Sequence, residues 1–358
     1  MTRLNLRSFL AASVCIVGLA TAGCGGSGGG DTSTSGSAGA GQAGTSTTKN
    51  VPPEPDAVAF PKIVPGSGKG MKLGYISLDE SVPFVHLVSD DIKKVAKQTG
   101  AQLVFCDAQQ DGQKALACAR TFKTQGVQGY LNFQSDAKSA AGVCAAGPQV
   151  PVIAVDIEQP PCEVSFVGAN NAYAGYLGGR AMGQYFKSKF KCQYDAYISM
   201  EGPESGAVNE ERMGGFRKGF SEICGQIHDL KKEAGDRIDS ARQVFTDVLT
   251  SLPGQHRLIV VSINDDGIEG ALAAAKTANR TNDLYVAGTG ADPSAWCQIK
   301  NNPQWVADPA FFPERYGEIG VPYLIKAIKG QKVPKHLFVP HRLINSANID
   351  KTYHVTGC

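Results

Sequence analysis

Four polar or aromatic side chains stand at the ends of apolar runs, where a small molecule could be bound. Asp156 closes the run PVIAVD, and Asn264 closes LIVVSIN, followed by Asp265, Asp266 and Gly267. Arg212 opens the helical segment RMGGF, and Phe84 stands at a helix start in SVPF. Singly, each is ordinarily a cap or a turn residue. Jointly, all four fall where a doubly wound sheet places its ligands, at the carboxyl ends of strands. This chemistry is binding. No H-E-x-x-H pair occurs, the six histidines are scattered, and the pattern G-x-S-x-G falls only in the glycine-rich stretch 25–29, where no strand and helix are expected to make it an elbow. The stretch PGSGKG at 65–70 is no phosphate loop, because glycine follows the lysine and the strand comes afterwards.

The elements that must position these residues alternate. Buried-strand runs are expected at 71–77 (MKLGYIS), 101–106, 127–133, 152–155 and 164–167. Val85, Val88, Ile92 and Val95 form an amphipathic stripe that Gly100 stops, and further helices are expected at 113–124 and 171–187. The second half repeats the theme, with strands at 195–200, 258–263 and 284–287. Its helices fall at 209–223, 238–252, 268–278 and 314–329. Such alternation predicts α/β architecture, a parallel sheet covered by helices on both faces. About 290 residues of it exceed one core, so two doubly wound domains are expected.

The 358 residues carry a formal charge of +2, and Arg3 and Arg7 supply that excess. The remainder is neutral, which argues against a nucleic-acid partner. Arg3 and Arg7 precede the apolar run 9–20, too short to span a bilayer but suited to a secretory signal. The run ends Ala20-Thr21-Ala22-Gly23-Cys24, which resembles a bacterial lipoprotein signal with Cys24 as the lipidated residue; Thr21 departs from the usual Leu. An ordinary signal with a chance cysteine is the alternative. Of residues 25–50, 22 of 26 are Gly, Ser, Thr or Ala, a composition that cannot order itself. Residues 51–70, with five prolines, extend the expected spacer.

Beyond Cys15 and Cys24, eight cysteines remain, an even number that reads as disulfides in an exported chain. Sequence cannot choose among the pairings; a sequential set is expected, 106–118, 144–162, 192–224 and 297–358. Cys106, Cys118, Cys144, Cys162, Cys192, Cys224, Cys297 and Cys358 would each tie an element to its neighbour. No C-x-x-C or Cys/His cluster suggests a metal, and no cofactor is expected.

The chain resembles the type I periplasmic binding proteins for sugars, over roughly 72–339. The resemblance rests on MKLGYIS followed by VPF, QGVQGYLNF, PVIAVD, VGANNAYAG, ERMGGF and VVSINDDGIEGALAAA, in that order and spacing. It implies two Rossmann-like lobes joined by three crossings, near 167–171, 310–312 and 339–342. The lobes would be 71–170 plus 312–339 and 171–311 plus 340–358, after a signal (1–23) and a tether (24–70). By position, Phe84 looks like the aromatic that stacks on the sugar ring. Asp156 looks like the carboxylate that accepts from two hydroxyls. Arg212 looks like the guanidinium that donates from the second lobe, and Asn264 like the amide that does both. The same fold forms the core of sugar-responsive repressors, but here a signal and tether occupy the place of their DNA-binding helices.

Three departures stand out. Ile157 follows the aspartate where the family often has Arg or Asn. Gly290 holds the place of a late family aspartate, and Asp292 lies two residues on. Phe311 takes the place of a late polar hinge residue. Fewer polar partners and an extra aromatic suggest a pentose, a deoxy sugar or a polyol-like ligand. Asp79 and Glu80, before Phe84, either replace a lost contact or are solvated loop acids. Trp296 and Trp305 are expected to pack in the core or at the rim. The resemblance thus implies a monomeric, non-enzymatic solute-binding lipoprotein, held at the outer face of the cell membrane or in the periplasm. It would deliver its ligand to an ABC permease and its ATPase. The alternatives are a receptor subunit that feeds a sensor kinase and a secreted α/β enzyme.

Overall fold

The computed structural model describes residues 54–134 and 139–358. The signal run, Cys24 and the glycine-rich tether lie outside the described residues. The first sheet takes β1 (Lys72–Ser77), β2 (Gln102–Asp107), β3 (Gly129–Asn132), β4 (Val152–Val155) and β5 (Glu163–Gly168). Between them run α1 (Pro83–Thr99), α2 (Gly112–Thr124) and α3 (Ala140–Ala146). The chain then builds a second unit. This comprises α4 (Asn171–Phe190), β6 (Ala196–Glu201), α5 (Ala207–Cys224), β7 (Leu230–Ala234), α6 (Ile238–Ser251) and β8 (Leu258–Ser262). It continues through α7 (Asp265–Thr277), β9 (Leu284–Ala287), α8 (Trp296–Asn301) and β10 (Trp305–Ala310). It returns to the first sheet as α9 (Tyr316–Ile328) and β11 (His336–Phe338), and crosses again to β12 (Arg342–Ile344) and α10 (Ile349–Tyr353).

The sheets read β2-β1-β3-β4-β5-β11 and β7-β6-β8-β9-β10-β12, one topology used twice. All named pairs are parallel except β12 on β10. The fold is therefore the expected one: two doubly wound lobes with the chain passing between them three times. Each sheet is buried on both faces, as parallel sheets require. In the first lobe, Val85, Val88, Ile92 and Val95 of α1 pack with α9 on one face, and Phe122 and Val143 cover the other. In the second, α6 and α7 cover one face while Phe216 and Phe220 of α5 cover the other. Gly100 caps α1 with φ 75°, the left-handed value glycine adopts without strain.

The strands that periodicity missed are short, at an edge, or broken by polar and proline residues. β7 (LKKEA) alternates charge at a sheet edge, β10 (WVADPA) carries an aspartate and a proline, and β11 and β12 have three residues each. Cys106–Cys118 joins β2 to α2, and Cys144–Cys162 joins α3 to the loop before β5. Cys192–Cys224 joins the ends of α4 and α5, and Cys297–Cys358 ties α8 to the C-terminal residue.

One expectation is corrected. Residues 54–70 do not behave as a spacer; 54–60 lie along the crossings, and 67–68 bond to the ends of α1 and α9. Ala57 bridges Phe338 in parallel, and Val58 N donates to Phe338 O at 2.8 Å. Phe60 packs against the main cores of both lobes and meets Phe312 edge-on at 6.3 Å. The guanidinium of Arg315 sits 3.4 Å from the Phe60 ring centroid. Prolines and three apolar side chains, Val58, Phe60 and Ile63, make this a strap, because a strap needs only a few anchors and no regular element.

Helices α4 and α5 approach backbone to backbone. A Cβ on Gly175 would lie 1.9 Å from Arg212 O, and one on Gly215 2.4 Å from Ala172 O. Glycine is therefore obligatory at this seam, and the seam fixes where Arg212 emerges. Gly175→Ala is expected to lower stability by about 1–3 kcal/mol through overpacking. Thermal unfolding checks this, and an unchanged midpoint would contradict the seam geometry.

Candidate functional site

Arg212 is the centre of the polar group at the carboxyl ends of the strands. It is 8% exposed, on α5, with its fork committed on several sides. Nε and Nη2 donate to Asn171 Oδ1 at 3.1 and 2.5 Å, and Nη1 donates to Ile263 O at 2.6 Å. The guanidinium carbon lies 4.7 Å from the Phe311 ring centroid, a cation–π contact. Burial lowers the Arg212 pKa, and the charge of Asp156 opposes that shift. A buried guanidinium needs such partners, since leaving it unpaired costs several kcal/mol.

Asp156 follows β4 with φ 60°, an uncommon backbone for a non-glycine residue. Its amide donates to Val167 O at 2.9 Å, and its Oδ1 accepts from the Tyr316 hydroxyl at 3.0 Å. Burial raises the Asp156 pKa, opposed by Arg212, the Tyr316 hydroxyl and His341. Asp156 is crowded by protein yet retains part of its accessible surface, which places it on the wall between the lobes. Phe84 meets Tyr316 edge-on at 5.9 Å and packs with Ala169, Ala174 and Phe311. The group thus draws Phe84, Asp156 and Tyr316 from the first lobe, Arg212 and Asn171 from the second, and Phe311 from a crossing.

The loop after β9 brings a further acid. Asp292 N donates to Asp265 Oδ2 at 2.7 Å, while Asp292 Oδ1 is buried with no hydrogen-bond partner among the described residues. Burial raises the Asp292 pKa well above the usual range, with Asp265 and Asp266 adding to the rise and Arg212 opposing it. Beneath this loop, Asp265 and Asp308 are both fully buried, and their carboxyls come together beside Gly288. Asp265 Oδ1 accepts from Thr289 N at 3.1 Å, and Asp308 Oδ1 from Ala291 N at 2.9 Å. The two carboxyls crowd Gly288, where an added Cβ would lie 2.2 Å from one and 2.6 Å from the other. Two carboxyls in such contact hold a proton between them. Burial is the main cause in both: Asp308 is pushed up to about 7, and Asp265 well above its ordinary value.

The other expected residues are placed elsewhere. Asn264 caps α7: Oδ1 accepts from Gly267 N at 3.1 Å, and Nδ2 donates to Asp236 O at 2.7 Å. Its acceptor is spent on that cap. Asp79 accepts from Ser81 N at 3.0 Å and from Gln110 Nε2 at 3.0 Å. Glu80 accepts from Ser77 Oγ at 2.6 Å, from Ser89 Oγ, and from Lys93 Nζ at 3.3 Å. Both tie down the loop ahead of α1, and neither bonds to the group around Arg212. Trp305 is core, 1% exposed and bonded to Asp308, and Trp296 stacks on Tyr353 at 4.5 Å. Sequence reasoning missed Asn171, Tyr316 and Asp265. Asn171 lies within the quoted VGANNAYAG, and Asp265 follows Asn264 directly. Tyr316 opens a helix expected only for its packing. Among the described residues, no group of three His, Cys, Asp or Glu could hold a metal ion.

Asp308 carries a folded pKa of about 7 against an ordinary 3.8, so the native state holds its proton longer than the unfolded chain. The stability it contributes is full at low pH and is lost as pH rises from about 4 to about 7. Asp308→Asn is expected to flatten the fall of the unfolding midpoint across that window relative to the parent chain. Identical pH profiles would contradict the shared proton.

Residues 73–332 match a family model described as a periplasmic binding protein domain. The ribose import binding protein of Escherichia coli is 28% identical over 270 residues, 73% of this chain and 86% of that protein. An ABC transporter solute binding protein from Mycobacterium smegmatis, solved with bound glycerol, shares the fold. Its TM-score is 0.69 at 24% identity, covering 80% of this chain and 98% of that one. A periplasmic ribose ABC transporter structure from Conexibacter woesei also has a TM-score of 0.69, at 20% identity, covering 81% and 97%. Two lobes of one topology, a polar group gathered where they meet, and a family match across nearly all of both lobes agree. The chain belongs to the periplasmic binding protein domain family, with the type I fold of two Rossmann-like lobes.

Proposed function

We propose that this protein is an exported, lipid-anchored solute-binding protein that captures a small sugar or polyol-like molecule between its lobes. It hands the ligand to an ABC importer. The observation that carries the reading is the buried polar group around Arg212 and Asp156, assembled from both lobes and a crossing. Similar proteins, one a ribose import binding protein and another solved with bound glycerol, support the class. Asp156 and Asp292 would accept from ligand hydroxyls, Arg212 would hold an oxygen, and Phe84 and Phe311 would cover C–H faces. With Gly290 and Phe311 at positions the family fills with polar groups, a ligand with few hydroxyls fits best. Binding to both lobes shifts the hinge toward its closed form, and the permease and ATPase read that form. No covalent step is involved. The protein acts as a monomer, and a lipid on Cys24 keeps it at the membrane.

A ligand at 100 times its dissociation constant adds about 2.7 kcal/mol of stability, a shift of several degrees. Residues 25–358 with intact disulfides, screened against pentoses, deoxy sugars, glycerol and inositols, are expected to give such a shift. The shift should vanish in Asp156→Ala and Arg212→Ala. A folded sample that responds to none of these would overturn the sugar or polyol reading.

Cys24→Ser in the full-length chain is expected to move the protein from the membrane fraction to the soluble exported fraction. Retention in the membrane fraction would reject lipid anchoring at that residue.

A further inference from the structure

The strap ends on the ligand-binding group. Glu54 accepts two hydrogen bonds from His341, on the crossing between β11 and β12. Oε2 accepts from the backbone N at 2.9 Å, and Oε1 lies 2.5 Å from ring Nδ1. The His341 side chain is fully buried, and that of Glu54 is 9% exposed. The imidazole meets Phe311 edge-on at 5.4 Å and Tyr173 edge-on at 6.3 Å. Its Nε2 is buried and has no hydrogen-bond partner among the described residues. Phe311 also meets Arg212, whose guanidinium is 4.7 Å from the Phe311 centroid.

A contact chain therefore runs from Glu54 through His341 and Phe311 to Arg212. It starts ahead of the first strand, crosses two of the three links between the lobes, and ends on the buried cation. Nothing but Glu54 bonds to the imidazole of His341 among the described residues, so the ring's orientation depends on that carboxylate. An imidazole held through Nδ1–H keeps one ring orientation; without that bond it can turn to seek a partner for Nε2. Phe311 would follow, because its ring contacts both the imidazole and the guanidinium.

We propose that Glu54 and His341 form a positioning pair for the ligand site. The carboxylate sets the imidazole, the imidazole sets Phe311, and Phe311 sets the aromatic wall beside Arg212. The segment that joins the tether to the first lobe is then a working part of the binding site. The ligand is a neutral, hydroxyl-bearing small molecule whose C–H face rests on Phe311. This rests on the function proposed above.

The test uses residues 25–358 with D-ribose, glycerol and myo-inositol as probes, and three measurements. These are affinity by calorimetry, the ligand-free unfolding midpoint, and the ring nitrogen signals of ¹⁵N-histidine, with His341 assigned through His341→Phe. In the parent chain His341 should show the signal of an Nδ1 proton donated to a carboxylate. Glu54→Ala should lose that signature and weaken the best probe about tenfold, the worth of one charge-assisted hydrogen bond. Glu54→Gln keeps one of the two acceptors and turns its amide NH2 toward the other donor, so it should restore the signature and the affinity only in part. A purely structural role would lower the midpoint in Glu54→Ala while leaving affinity within twofold. That result, with Arg212→Ala still abolishing binding, overturns the positioning pair and leaves the binding function standing. If the parent chain binds none of the three probes, both the pair and the proposed ligand class fall.

Discussion

Everything at the seam follows from burying one guanidinium. Arg212 cannot be left unpaired in that setting, so its fork is met on one side by Asn171 Oδ1 and on another by Ile263 O. Those partners lie on α4 and at the end of β8, and both must approach α5 closely. Glycine makes this possible. At Gly175 and Gly215 the two helices come so near that a methyl would overlap a carbonyl. Residues far from any ligand thereby determine the direction in which the cation points.

One cation does not balance the acids gathered there. Asp156, Asp292, Asp265 and Asp308 surround or underlie it, and burial raises the pKa of all four. Their work divides. Asp265 and Asp308 spend their oxygens on the amides of Thr289, Asp292 and Ala291 and on the Trp305 indole, so they build the loop after β9. Asp156 and Asp292 are left facing the region between the lobes. A shared proton beneath the loop lets two carboxyls sit where two full charges would repel.

The fold was legible because each long element carried its own period. The stripe of α1 and the unbroken apolar runs of β4 and β8 come from burial, and burial repeats along the chain. Phe84, Asp156 and Arg212 were legible for a second reason: strand ends and helix starts are where such a sheet presents side chains. Asn264 shared that signal and yet caps α7, because a strand-end asparagine is equally suited to both tasks. The strap was misread, because prolines and scattered apolar residues describe a linker and a strap alike. Only the contacts of Glu54 and Phe60 across the crossings separate the two. The fit of Asn171 to Arg212, and of Asp265 to Asp308, depends on distances between elements, which no local period records.

The same geometry explains how a binding event could move a hinge. Asp292 Oδ1 is buried with no donor among the described residues, an arrangement that costs about 1–3 kcal/mol while it lasts. On the proposed reading, separation of the lobes returns that oxygen to water. On that reading, a ligand hydroxyl would instead supply the donor with the lobes together. The cost therefore opposes closure in one case and is removed in the other. A difference of that size changes the closed fraction by a factor of about 5–150. A carboxylate that the protein itself leaves unpaired is then a reason for the hinge to respond to ligand.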